Sequence, residues 1–274
     1  MKQIGGQAVI EGVLMMAPEK FAIAVRLPDG SIETKVESHK AKSKRFKLLG
    51  IPFIRGVVNL VDMLVVGSKA LTWSAEKQGE EEMRWWETLL TFAFAILMTV
   101  GIFVVAPYYL ARVFVEPPGF VFNIIDGVFR LLAFFVYLLS ITVFKDVRRM
   151  FEYHGAEHMT VHCYEAKKPL TPENCMKFSK EHARCGTSLL FFVVIVSIFV
   201  FSILHTPYWY INIFGRIILI PVVAGISYEL LKFSAKYKCL SWVSLPGLWT
   251  QRLTTRTPDK EQLEVAIAAL EKAR

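Results

Sequence analysis

The chain has 274 residues, a net charge of +8 and 54% hydrophobic residues, 21 of them Phe, and its mean hydropathy is +0.41. This balance excludes an ordinary soluble protein of the same length and points to an integral membrane protein. The excess of Lys and Arg does not signal a nucleic-acid partner, because no recognition motif accompanies it and its distribution follows membrane topology.

Residues 1–84 read as an N-terminal cytoplasmic unit. Met1 to Glu11 is too short and ends too acidic for a cleavable signal peptide. Gly5, Gly6 and Gly12 punctuate short apolar pieces up to Pro18, which suits a tightly turned or closely packed backbone better than a helix. Phe21 to Arg26 and Ser31 to Glu37 flank Leu27-Pro28-Asp29-Gly30 and predict a β-hairpin. Lys40 to Lys47 is a basic connector beside lipid headgroups. The apolar stretch 53–75 carries Arg55, Asn59 and Asp62 on one face and reads as an interfacial or re-entrant amphipathic helix, against a competing reading as a fifth crossing. Glu80 to Glu82 then make a polar break, and Trp85-Trp86 anchor the next segment at the headgroups.

Four apolar segments reach the ~17–25 residues of a spanning helix. Two lie in 85–144, about Glu87 to Val113 and about Phe120 to Phe144; two lie in 187–235, about Thr187 to Leu204 and about Tyr210 to Phe233. The 145–186 connection holds eight Lys and Arg, whereas the turns at Glu116 to Gly119 and His205 to Tyr208 hold almost none. The positive-inside rule therefore places both termini and the 145–186 connection in the cytoplasm. Cys163, Cys175, Cys185 and Cys239 all fall on that side, as reduced thiols or metal ligands. In the connection, the second span runs directly into the helix that follows it, and Thr171-Pro172 starts another helix that ends near His182. The tail 236–274 ends in an amphipathic helix from Pro258-Asp259 with Leu263, Ala266, Ile267 and Leu270 on one stripe. The expected fold class is an α+β membrane protein: a four-helix transmembrane bundle with a cytoplasmic domain containing a small β unit and helices.

The chemistry concentrates in Phe151 to His162. On a helix, His158 lies ~40° round from His154, Glu165 ~20° and His162 ~80°, so four metal-ligating side chains share a sector, with Glu157 ~60° to the other side. His154-x-x-Glu157-His158 has the inverted zincin spelling, in which two His bind the metal, the Glu is the base and a distant Glu is the third ligand. Glu229, an acid near the cytoplasmic end of the last span, is the candidate for that distant ligand, since an ionisable group inside a span is a functional candidate by default. His182 and Cys185 add an imidazole and a thiol at the same membrane boundary. The expected metal set is thus His154, His158, Glu229, His182, Cys185 and Glu165, with Glu157 catalytic and a divalent ion, zinc first, as cofactor. The plainer alternative is a row of surface histidines on an ordinary amphipathic helix.

Five motifs in order resemble the YqhQ-like bacterial membrane proteins: Gly5-Gly6-Gln7-Ala8-Val9-Ile10-Glu11-Gly12-Val13, Tyr153-His154-Gly155-Ala156-Glu157-His158, Arg184-Cys185-Gly186-Thr187-Ser188, Ala224-Gly225-Ile226-Ser227-Tyr228-Glu229 and Gln251-Arg252-Leu253-Thr254-Thr255-Arg256. That family is of unknown function, and its members are often labelled predicted metal-dependent enzymes. The resemblance implies a bacterial multi-pass inner-membrane protein. Two positions depart from the family pattern: Ala183 stands where the family has Pro before Arg-Cys, and Ala17 stands before Pro18 where the family has Arg-Gly. Neither removes a candidate ligand.

Three functional readings follow. The first is a zinc-dependent hydrolase or peptidase at the cytoplasmic face of the inner membrane, with Glu157 as base. The alternative is a non-catalytic scaffold or assembly factor in which the His/Glu/Cys cluster is structural. The third is a transporter component, disfavoured because Glu229 and few other polar residues occupy the spans. The expected partners are the lipid bilayer and either other membrane proteins or further copies of the chain, with no nucleic acid.

Overall fold

A computed structural model of the chain describes residues 4–41, 43, 47–81, 84–117, 119–182, 184–204, 206–237 and 245–274. Ala183, Cys239, Glu82, Pro118, His205 and part of the Lys40 to Lys47 run lie outside the described residues.

The N-terminal unit is a four-stranded antiparallel meander in the order β1 (Gly5–Val9), β2 (Gly12–Met16), β3 (Lys20–Arg26) and β4 (Ile32–Ser38). The β3–β4 hairpin follows the expected Pro-Asp-Gly turn, with Arg26 opposite Ile32 and Gly30 at a φ of 87° that a side chain would strain. The glycine-punctuated segment before it is a second hairpin, tightly turned between Val9 and Gly12 and closely packed at Gly6 and Gly12. Strand alternation gives the sheet two apolar faces. Val13, Met15, Ala22 and Ala24 face one core with Tyr153, Ala156, Met159, Leu263 and Leu270; Leu14, Phe21, Ile23 and Val25 face a second with Val66 and Ala70.

The helices cover both faces. Helix α1 (Ile54–Lys77) lies on the second face, where Gly67 allows the Gln7 side chain to approach and Ser74 accepts the Ile10 N–H at 3.1 Å. It is a single helix, outside the set apolar enough to cross a membrane, and its exposed face carries Val61, Leu64 and Val65. Helices α2 (Trp85–Arg112) and α3 (Phe120–Ile141) are long and apolar enough to cross. Helix α4 (Lys145–Glu165) holds the histidines, and the one-turn α5 (Pro172–Cys175) is N-capped by Thr171. Helix α6 (Gly186–Phe201) is apolar but only 16 residues long, about 24 Å against a hydrocarbon core of about 30 Å. Helix α7 (Trp209–Lys236) is the third of spanning length, and α8 (Leu245–Thr254) and α9 (Lys260–Ala273) close the chain.

Several expectations need correction. Among the described residues three helices are long and apolar enough to cross a membrane, and the fourth expected span is the shorter apolar helix α6. The second span does not continue into the motif helix: hydrogen-bonded turns at Thr142, Val143 and Phe144 end α3 before α4 begins. The helix after Thr171 stops after one turn instead of reaching His182. The spans are also less bare than expected, because α3 and α7 bury Asn123, Asp126, Arg130, Asn212 and Arg216. Asp126 bonds Arg130 at 2.7 Å and pairs with Arg216 at 2.8 Å, and both guanidinium groups sit over the Phe201 ring. Isolated charges one or two turns apart are outweighed in any apolar window by their neighbours, which hid this triad from the sequence reading.

Candidate metal centre

The site is assembled where α4 meets the loop before α6 and the end of α8. Gly155 makes the approach possible: a Cβ there would collide with the Arg256 carbonyl, and the Arg256 N–H bonds the Phe151 carbonyl at 2.8 Å. Buried Gln251 fixes the loop by accepting the His182 N–H at 2.7 Å and donating to the His182 carbonyl at 2.9 Å and the Ser188 hydroxyl at 3.0 Å. The Gln251 to Arg256 motif is thus the strap that holds the loop and helix together.

The two motif imidazoles are held alike. His154 Nδ1 is 2.8 Å from the Thr254 carbonyl, and His158 Nδ1 is 2.6 Å from the Lys180 carbonyl. A carbonyl only accepts, so both rings carry hydrogen on Nδ1, and it is Nε2 that has the lone pair in the neutral ring of this tautomer. His154 Nε2 lies 3.2 Å from Cys185 Sγ, and His158 Nε2 lies 3.3 Å from a Glu157 carboxylate oxygen. The rings meet edge to face at 4.4 Å. One ligand atom each from His154, His158 and Cys185 all fall within 4.8 Å of one another. Cys185 is the N-cap residue of α6, its sulfur accepting from the Thr187 N–H at 3.5 Å, and a cysteine binds metal through its sulfur.

Glu157 is almost fully buried, with its methylenes against Gly6 of β1, where any side chain would clash. Burial pushes its carboxyl up to about 7, against the opposing pull of His154, His162 and the Gly6 N–H. His182 lies behind this group, 5.6 Å from the His158 ring and 4.5 Å from that of His162. Burial, reinforced by those neighbours, brings its pKa down to about 3, so the ring is neutral at physiological pH.

His162, Glu165 and His182 also place ligand atoms within 4.8 Å, but their chemistry fits an ion less well. Arg184 is salt-bridged to the Glu165 carboxylate. The Arg184 N–H points at His182 Nδ1 at 3.2 Å, which leaves the hydrogen on Nε2, the nitrogen facing Glu165 at 3.6 Å. A cation there would compete with a guanidinium and displace a proton. The first group asks for neither; its two oriented imidazoles, one thiol and adjacent carboxylate are a zinc-type donor set.

Of the residues singled out by the sequence, the structure brings His154, His158, Cys185 and Glu157 together, with His182 and Glu165 one layer out. Glu229 is not in either group. Both its oxygens are taken by Arg55, at 2.7 Å from Nε and 2.5 Å from Nη2. Gly225 lets the Phe53 carbonyl approach and Gly56 lets Tyr228 approach, while Tyr228 bonds Asn59 at 2.9 Å. The Ala224 to Glu229 motif is therefore the seat of α1 on α7. The sequence reading did not assign the carbonyls of Thr254 and Lys180, since backbone acceptors carry no residue signature.

Comparison with known proteins agrees with the motifs. A family profile described as "Protein of unknown function (DUF1385)" matches residues 51–274. The chain is 34% identical, over 286 aligned residues covering 96% of it and 89% of the relative, to "Uncharacterized protein YqhQ" of Bacillus subtilis (strain 168). No solved structure matches. The chain belongs to the DUF1385 family, to which its resemblance to YqhQ already pointed.

Proposed function

We propose that this is a bacterial inner-membrane metalloprotein, with both termini in the cytoplasm, whose His154–His158–Cys185 site carries out metal-dependent hydrolysis at the cytoplasmic face. The observation that carries the reading is the matched pair of Nδ1–H to carbonyl bonds, which aims both Nε2 lone pairs toward the Cys185 sulfur and the Glu157 carboxylate. Three protein ligands with a carboxylate beside them is the composition of an open site, whereas structural zinc sites are closed by four. A divalent ion held there supplies Lewis-acid polarisation of a substrate carbonyl or phosphoryl oxygen. Glu157, fixed between β1 and the His158 ring, is placed to take the proton from an attacking water. Thr254 and Lys180 keep the imidazoles in the ligating tautomer throughout.

A second reading, favoured by the near-complete burial of His158 and Glu157, is a structural staple joining the sheet layer to α6. Cobalt(II) substitution separates the two. The hydrolase reading expects a thiolate-to-cobalt charge-transfer band and visible bands that move when a hydroxamate or cyanide is added, in Glu157→Gln as in the parent. Visible bands indifferent to every added ligand would leave only the staple.

A further inference from the structure

A second site lies where α1 meets the cytoplasmic end of α7, on residues different from those of the candidate metal centre. A cavity of about 320 Å³ is lined by Phe53, Arg55, Ile226, Glu229, Leu230 and Phe233, and by Pro52. Its walls are apolar, and the side chains around its mouth, Phe53, Leu230 and Phe233, are 55%, 40% and 48% exposed. Glu229 is 20 residues along α7 from Trp209, about 30 Å at 1.5 Å per residue, which is one hydrocarbon thickness from the opposite end of the helix. On the topology proposed above, the cavity therefore lies at the level of the inner-leaflet boundary, with apolar side chains around it.

The charge at the mouth is not balanced. Arg55 spends Nε and Nη2 on Glu229, its side chain stays 28% exposed, and its Nη1 edge has no acceptor among the described residues. Lys232 is exposed one turn beyond Glu229, within electrostatic reach of the carboxylate. Two cations against one carboxylate leave a net positive charge beside an apolar slot, a combination complementary to a phosphate ester attached to an acyl chain.

We propose that this cavity seats one acyl chain of an anionic phospholipid, with its phosphate held by Lys232 and the free edge of Arg55. Phe53, at a φ of 69°, turns its ring out to form the wall while its carbonyl packs on Gly225. A lipid bound there would sit against the joint between α1 and the membrane helices, and so would tighten the attachment of the whole sheet layer.

The test is lipid retention. The protein is purified from membranes of defined phosphatidylglycerol and phosphatidylcholine content, and bound lipid is counted by native mass spectrometry for the parent, Lys232→Glu, Leu230→Trp and, as a control on a distant exposed face, Leu132→Trp. We expect phosphatidylglycerol retained over phosphatidylcholine, a drop of fivefold or more in both site variants, no change in the control, and no displacement by millimolar inorganic phosphate. Equal retention of the two lipids by the parent, or undiminished phosphatidylglycerol in both site variants, overturns the proposal; displacement by phosphate overturns the lipid assignment. A phosphatidylglycerol analogue with a photoactivatable acyl chain, used on the parent protein, supplies a readout independent of variant folding. Cross-links in the 226–233 peptide support the site, and their absence there overturns it.

Discussion

Replacing Glu229 with Gln separates its role as a clamp from the metal-ligand role that its position in the sequence suggested. The carboxylate is 4% exposed and makes two charge-assisted bonds to Arg55, at 2.7 and 2.5 Å. Removing one partner of a fully buried pair costs about 3–5 kcal/mol. Because the Arg55 side chain is 28% exposed and can regain water, and because Gln keeps one acceptor, we discount this to about 2 kcal/mol. That is a drop of about 4–8 °C in Tm for a chain of this size. The assay is thermal unfolding of detergent-purified protein in a double-mutant cycle with Arg55→Met, together with metal analysis of each variant. The expected result is a coupling of about 2 kcal/mol between the positions and an unchanged metal content. Loss of bound metal in Glu229→Gln, or additive effects, would refute the clamp.

Other consequences concern the rest of the fold. On acidification from pH 7 to 5 two buried groups act in opposite directions in metal-free protein. His182, held to about 3 when folded, takes a proton sooner in the unfolded chain, which costs about 2 kcal/mol of stability over that range; Glu157, at about 7 when folded, takes it sooner in the folded chain, which adds about 2 kcal/mol. The pair nearly cancels in the parent, so Glu157→Gln should lose about 2 kcal/mol between pH 7 and 5, and identical denaturation profiles against pH would contradict this. Asp126→Asn leaves Arg130 and Arg216 buried without a counter-charge and should cost about 3–5 kcal/mol, partly recovered by adding Arg130→Met; a well-folded single variant of parental Tm would refute the triad's importance. Gly155→Ala drives a Cβ into the Arg256 carbonyl, at about 1–3 kcal/mol, and should speed limited proteolysis in the tail; unchanged cleavage would show that the strap does not depend on that approach.

Much of this was legible in the residues. The Pro-Asp-Gly hairpin, the terminal helix started by Asp259 with its capping box to Gln262, and the sharing of one helix face by His154 and His158 all follow from local spacing and turn chemistry. Cys185 could be named as a neighbour from its place at the start of an apolar run. What escaped the sequence was non-local. The first hairpin, Gly5 to Met16, is held by pairing to β3; Gly6 is there because Glu157 and β2 come close, and Gly12 because β3 does. Glu229 has the type and depth of a ligand, and only the path of α1, which delivers Arg55 to it, shows that the carboxylate is already taken. The Asp126 triad likewise depends on α3 and α7 being neighbours.

The measurement that bears most directly on the account is metal stoichiometry of the detergent-purified protein by mass spectrometry, for the parent, His158→Ala, Cys185→Ser and Glu229→Gln. The account predicts a zinc-type ion bound one to one in the parent and in Glu229→Gln, and lost from the other two. A parent protein without a stoichiometric ion, or an ion that persists after both His158→Ala and Cys185→Ser, would contradict it.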